Sequence, residues 1–173
     1  DASRAAEYVK SQKGALNVDP GQVQAAISEI LRPFEGDGNE NPYAIHADLQ
    51  ECMQALVGII RTEGELRKAL DEIHGFKQRL GRVKVQGGRE FNPGWHLTMD
   101  LHAMLTISEG TTIGALARKE SRGGPTREDF PFADDYWGKI NNVVRRTGKD
   151  MTVAQEPIPD MPEDLKQLLQ ERK

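Results

Sequence analysis

The chain holds one cysteine, Cys52, among 173 residues. A single thiol closes no internal disulfide, so the fold is not a disulfide framework, and no cysteine-rich zinc site can form. Aromatic residues make up only 6%. The core must therefore be aliphatic, and the shortage of aromatics favours helix over sheet. No stretch approaches the roughly 18 apolar residues that a membrane span needs, and no signal peptide is visible. The net charge is -4, which argues against a general binder of nucleic acid. There is no Gly-x-Gly-x-x-Gly, no phosphate loop and no Gly-x-Ser-x-Gly elbow. The four histidines, His46, His74, His96 and His102, include no i, i+4 pair of the kind a helical zinc site uses. Cys52 falls in an apolar helical pattern and reads as a core thiol.

What is present is a set of capped amphipathic segments. Residues 3–10 read as the tail of a helix, and 11–17 as a linker. Asp19-Pro20 opens a helix with Val23, Ala26, Ile27, Ile30 and Leu31 on one face, and Pro33 is expected to end it. Asn41-Pro42 opens the next, in which Leu49, Cys52, Met53, Leu56, Val57 and Ile60 recur at helical spacing. Gly58 is expected to admit a close helix neighbour. Thr62 and Glu65 form a capping box ahead of Leu66, Ala69, Leu70, Ile73, Phe76 and Leu80, with Gly81 as the stop. Asn92-Pro93 starts the longest helix, roughly 93–119, lined by Leu97, Leu101, Met104, Leu105, Ser108, Thr112, Ala115 and Leu116. Ala103, Gly110, Gly114 and Ala117 make this helix small-sided, which predicts packing on more than one flank, with only one flank covered from within the chain.

Caps at Asn41, Thr62 and Asn92 predict an all-α chain: an antiparallel three-helix bundle, spectrin-repeat-like, with extra short helices at both ends and an extended tail. Residues 136–146 read as a short helix or strand, 151–162 as a proline-rich extended run, and Leu165, Leu168 and Leu169 as the apolar side of a tail helix.

The segment Ala117 to Pro131 concentrates charge, glycine and proline. Arg118, Lys119, Glu120, Ser121, Arg122, Arg127, Glu128 and Asp129 form the candidate functional set. Cations suit a helix C-terminus, and the neighbouring acids neutralise them locally. Paired arginines and carboxylates also suit an anchor that locks the loop against another domain or subunit, and the set is taken as a candidate interface.

Three stretches carry a resemblance. They are Leu49 to Met53 with Gly58 to Thr62, Leu66 and Ala69-Leu70; Glu90-Phe91-Asn92 with Leu97, Asp100-Leu101 and Met104-Leu105; and Arg118 to Gly124 with Thr126 to Pro131. In that order and spacing they resemble the C-terminal domain of the succinate dehydrogenase/fumarate reductase flavoprotein family. The likeness is good over about 43–135 and weak outside it. Pro125 stands where many members have histidine, in a Ser-Arg-Gly-x-His pattern.

The resemblance implies a bundle that supports the flavin-binding domain of its own chain, near an iron–sulfur partner subunit. FAD and the catalytic groups would belong to upstream domains of the parent, which interconverts succinate and fumarate. No catalytic, cofactor-binding or metal residue is carried over to this chain. The implied organisation is an upstream exit helix and linker at 1–18, a helical domain at 19–135 and a C-terminal extension at 136–173. The implied setting is cytoplasmic, with the parent peripheral on the membrane through its partner subunits, and the fragment free to self-associate. Two alternatives stay open: the same domain of an L-aspartate oxidase, and an independent helical interaction module.

Overall fold

The computed structural model describes residues 2–12, 14 and 17–170. Part of the expected linker, at 13, 15 and 16, lies outside the described residues, as do residues 1 and 171–173. The side chains of Leu168 and Leu169 lie outside the description too. In chain order the elements are α1 (Ala2–Ser11), α2 (Pro20–Glu35), α3 (Pro42–Leu56), β1 (Ile60–Arg61), α4 (Glu63–Leu80), α5 (Pro93–Ala117), β2 (Thr126–Arg127), a 3-10 turn (Trp137–Lys139), β3 (Ile140–Thr147), β4 (Asp150–Pro157) and α6 (Glu163–Gln170).

The helix starts follow their caps. Asp19, Asn41 and Asn92 accept from Gly21, Tyr43 and Trp95 backbone N–H groups at 2.8, 2.9 and 3.0 Å. Each cap precedes a proline that has no N–H to leave unpaired. At α4, Thr62 Oγ1 accepts from Glu65 N at 3.3 Å, and Glu65 Oε2 accepts from Thr62 N at 2.7 Å. That is the capping box read from the sequence.

The ends are less faithful to their signals. Helix α2 does not stop at Pro33 but runs on to Glu35. Pro33 is buried, and its carbonyl accepts from Val85 N at 3.0 Å, so packing outweighs the helix bond that proline cannot make. Helix α3 ends at Leu56, so Ile60 is not on its core face; it sits in β1 and is 63% exposed. Gly58 faces no neighbouring helix. A Cβ there would lie 2.7 Å from the Gln54 carbonyl oxygen of its own preceding turn.

The chain is mostly helical but not all-α, and the expectation of an all-helical fold is corrected by residues 140–157. Strands β3 and β4 pair antiparallel from Ile140↔Pro157 to Thr147↔Asp150. Gly148 holds the intervening two-residue turn at φ 64, a left-handed conformation that glycine takes without a Cβ penalty. The hairpin lies on α5. A Cβ on Gly110 would lie 3.7 Å from Met151 Sδ, and one on Gly114 3.8 Å from Val144 Cγ2. Gly110 and Gly114 thus serve a strand pair, so part of the flank expected to lack a mate within the chain has one, while Ala103 and Ile107 stay exposed.

Three helices share the core. Ile45, Leu49 and Cys52 come from α3, Leu66, Ala69 and Ile73 from α4, and Leu101 and Leu105 from α5. Each large aliphatic side chain among them contributes roughly 1.5–3 kcal/mol on burial. Burial pushes the Cys52 thiol up to about 12, helped by the neighbouring Glu72, so Cys52 is an inert packing residue as its pattern implied. Within α4, Gly75 borders open space: nothing lies within 4 Å of where an added Cβ would sit. Gly75→Ala should therefore raise stability by about 1 kcal/mol through helix propensity alone. A urea titration checks this, and a loss of stability would show that the site needs glycine.

Candidate functional site: an arginine-clamped bend

After α5 the chain turns back on itself from Arg118 to Pro131. The C-terminal carbonyls of α5 lack helical partners, as at any helix end. Arg127 supplies them. Its Nη1 donates to the carbonyls of Ala115 at 2.9 Å, Arg118 at 3.1 Å and Leu116 at 3.4 Å. Its Nε and Nη2 donate to the two oxygens of Asp129 at 2.8 and 2.7 Å, a bidentate pair. Arg127 is only 2% exposed, and its guanidinium lies 5.1 Å from the centre of the Phe130 ring.

Asp129 carries the clamp onward. Its Oδ2 accepts from Glu63 N at 3.0 Å, at the first residue of α4, where a negative charge is favoured. One ion pair thus ties the C-terminal end of α5 to the N-terminal end of α4. The parallel pairing of β1 with β2, Ile60↔Thr126 and Arg61↔Arg127, holds the same joint through the backbone.

A second carboxylate organises the other half of the bend. Glu120 is 3% exposed. It pairs with Arg118, and it accepts from Arg122 Nε at 3.0 Å and from Asp134 N at 3.0 Å. Arg118 also donates to the carbonyls of Trp137 and Ile140, both at 3.1 Å. The bend is thereby tied to the 3-10 turn and the start of β3. Ser121 Oγ accepts from Arg127 N at 2.8 Å and donates to the Phe130 carbonyl at 2.8 Å. Lys119, Arg122 and Glu128 are exposed, as are Gly123, Gly124 and Pro125 beside them.

Hydrogen bonding to Arg127 holds the Asp129 carboxyl down at about 2, and the Glu63 N–H adds to this. At Glu120 burial works upward, but the arginine and Asp134 hydrogen bonds outweigh it and the carboxyl lies below its usual range. A carboxyl depressed in the folded state contributes stability above its unfolded value, near 4, and that contribution is lost as pH falls toward the folded value. Stability should therefore drop between about pH 4 and pH 2. Asp129→Asn should flatten that slope in urea melts run across the range. An unchanged slope would mean that the pair does not couple to folding.

One cluster outside the bend gives no sequence signal. Glu109 of α5 is 9% exposed, bonded to His74 Nε2 at 2.8 Å and paired with Lys77, both from α4. Burial raises this carboxyl, but the two partners hold it below its usual range. His74 and Lys77 are three apart on one face of α4, so only the α4–α5 adjacency reveals the cluster. Among the described residues, no group of three or more histidine, cysteine, aspartate or glutamate side chains could hold a metal ion. No helix among them is long and apolar enough to cross a membrane.

The fumarate reductase flavoprotein C-terminal family model matches residues 46–172. The chain belongs to that family. The match runs through the bend and the β3–β4 hairpin. A fumarate reductase flavoprotein subunit of Mycobacterium tuberculosis is 30% identical over 148 residues, covering 84% of this chain and 25% of the relative. An uncharacterized FAD-dependent oxidoreductase of Methanocaldococcus jannaschii is 36% identical over 135 residues, covering 78% of this chain and 23% of the relative. Among solved structures, the Mycobacterium smegmatis Sdh1 in complex with UQ1 superposes with a TM-score of 0.88 at 42% identity, over 95% of this chain and 28% of that one. The chain spans about a quarter of the length of these relatives.

The family is one of flavoproteins, and the cavity between the 38–43 and 84–94 loops does not suit a flavin dinucleotide. A cavity of about 680 Å3 lies between the 38–43 and 84–94 loops, lined by Glu40 and Glu90 with Lys84 as its cation. Glu40 is paired with Arg79 and Arg82, and Glu90 offsets Lys84, so the lining offers no surplus cation for a pyrophosphate. The helix starts beside it, α3 and α5, are already capped by Asn41 and Asn92, which leaves no open N–H cradle of the sort that binds phosphate.

Proposed function

We propose that this chain is the C-terminal structural and docking domain of a succinate dehydrogenase or fumarate reductase flavoprotein, with α3, α4 and α5 acting as an antiparallel bundle. The parent interconverts succinate and fumarate through FAD held in its flavin-binding domain and passes electrons to an iron–sulfur subunit. The parent sits peripherally on the cytoplasmic face of the membrane, and the chain alone is inactive. The relatives' names support the parent chemistry.

The observation that carries the docking role is a set of apolar side chains exposed among the described residues. Phe91 is 98% exposed and held at φ 49, a left-handed backbone unusual for an aromatic residue. Tyr43, which lines the same loop cavity, is 51% exposed. Along α2, Val23, Ile27 and Ile30 form one helical stripe at 44, 44 and 43% exposure. A stripe of this kind marks an interaction surface. Lys119, Arg122 and Glu128 of the bend are exposed at the other end of α5 from Phe91 and would supply charges for a separate contact.

The test has two arms. The chain with FAD, succinate and a dye acceptor should show no turnover, and measurable turnover would sink the view that the chemistry lies elsewhere. Mixed with the separately expressed upstream portion of its parent, the chain should bind it. Phe91→Ser should weaken that binding by about 2 kcal/mol, roughly 30-fold, in calorimetry, while leaving the thermal midpoint of the free chain unchanged. Equal affinity for both forms would remove Phe91 from the interface.

A further inference from the structure

The tip of the β3–β4 hairpin lies over Gly110 of α5, and an open cleft runs between the two. Its apolar floor is Ile107, Val144 and Met151, and Ile107 is 68% exposed. Lys77, Arg145, Arg146 and Lys149 border it as cations, with Glu109 and Asp150 as the acids. Lys77 is paired with Glu109, and Arg145 with Glu156. Arg146 and Lys149 enter no ion pair among the described residues. Arg146 Nε donates to the Gly148 carbonyl at 2.9 Å, which leaves its charge uncancelled. Asp150 offsets one of the two. The tip therefore carries surplus positive charge in a chain whose net charge is -4.

The same chain carries a complementary surface. After β4 it runs through Ile158-Pro159-Asp160-Met161-Pro162, an exposed stretch without helix or strand. Ile158 is 49% and Met161 44% exposed. Asp160 between them enters no ion pair among the described residues. Prolines keep such a run extended, so little freedom is lost when it docks. The run does not reach the cleft of its own chain. Ile158 N donates to the Lys139 carbonyl at 2.9 Å, at the base of the hairpin. The tip lies an eight-residue strand away, roughly 25 Å at about 3.3 Å per residue. We infer that the cleft receives the 158–162 run of a second copy of this chain. Two hairpins set antiparallel about a two-fold axis bring the base of each to the tip of the other, so the contact is made twice. Asp160 then meets Arg146 and Lys149, and Ile158 and Met161 cover Ile107 and Met151. The inference does not rest on the docking role, whose Phe91 precedes the far end of α5.

Sedimentation velocity of the 173-residue chain, from about 10 µM to about 1 mM, reads the association. A monomer–dimer equilibrium is expected, with a dissociation constant on the order of 0.1 mM that weakens severalfold at high salt. Arg146→Glu combined with Lys149→Glu should abolish it, and so should Asp160→Lys alone. Mixed together, the two variants should pair again. The reversed tip of one then meets the reversed run of the other, and the native run of the first meets the native tip of the second. Circular dichroism checks that both are folded. Asp160→Lys changes an exposed residue outside helix and strand, so its result stands even if the tip variant folds poorly. A wild-type chain that stays monomeric throughout, or dimers that persist in Asp160→Lys, would overturn the inference, as would folded variants that fail to pair on mixing. Binding of the wild-type monomer to phosphatidylserine vesicles without any dimer would assign the tip to a lipid surface and overturn it as well. Dimers that form alongside failed binding of the upstream portion would leave this contact standing and sink only the docking role.

Discussion

Arg127→Met should cost the chain about 3–5 kcal/mol, the usual penalty for breaking a buried ion pair by removing one partner. The size follows from what is stranded. Asp129 keeps its Glu63 N–H but loses both bonds of its bidentate partner. The carbonyls of Ala115, Leu116 and Arg118 lose their shared donor at the end of α5. Methionine fills similar volume, so little of the loss comes from a cavity. For a chain of this length the midpoint should fall on the order of 10 °C. Arg127→Lys should recover little of it, because a lysine ammonium cannot span a carboxylate and a set of carbonyls in one plane. Paired urea and thermal melts measure both variants. A loss under about 1 kcal/mol for Arg127→Met would mean that the clamp is no stronger than a surface salt bridge.

The same residue shows how far the sequence can be read. Arg118 to Asp129 stands out as a cluster because cations and acids alternate there after a long helix. Nothing in the spacing tells which arginine is buried. Arg127 is one charge among several, and its burial is set by β1 pairing with β2 across the whole of α4 and α5. Helix starts are legible because caps are local: Asp19, Asn41, Thr62 and Asn92 each act within three residues. Helix ends are not, because Pro33 and Ile60 respond to contacts from distant segments. The extended runs of 140–147 and 150–157 are partly legible, but their pairing as a hairpin escapes the sequence reading for a different reason. Its two strands carry polar residues on their open face, and the Gly148-Lys149 turn is a weaker signal than Asn-Gly. The small residues of α5 announce a second neighbour without naming it.

Gly38 is the other position where one atom should matter. It has no signal of its own in the sequence beyond lying in a polar loop. In the fold, that loop crosses the segment after α4 so closely that a Cβ on Gly38 would sit 2.0 Å from the Arg82 carbonyl oxygen. Both groups are backbone, so neither can swing away as a side chain would. The crossing is stitched by Glu40 N to Arg82 O and Lys84 N to Glu40 O, each 3.2 Å. Just beyond it, Val83 and Val85 are buried at 6 and 7% exposure. Gly38→Ala must push the two segments of this crossing apart. The loss should reach about 3 kcal/mol, combining overpacking with two backbone hydrogen bonds worth roughly 1 kcal/mol each. Gly36→Ala, two residues earlier, is the matched control, because its added Cβ would meet nothing closer than 3.7 Å. Hydrogen exchange at the Glu40 and Lys84 amides, read beside urea melts of both variants, separates the outcomes. Gly38→Ala should lose protection there while Gly36→Ala keeps it, and equal protection in the two would show that the loop crosses more loosely than its backbone contacts require.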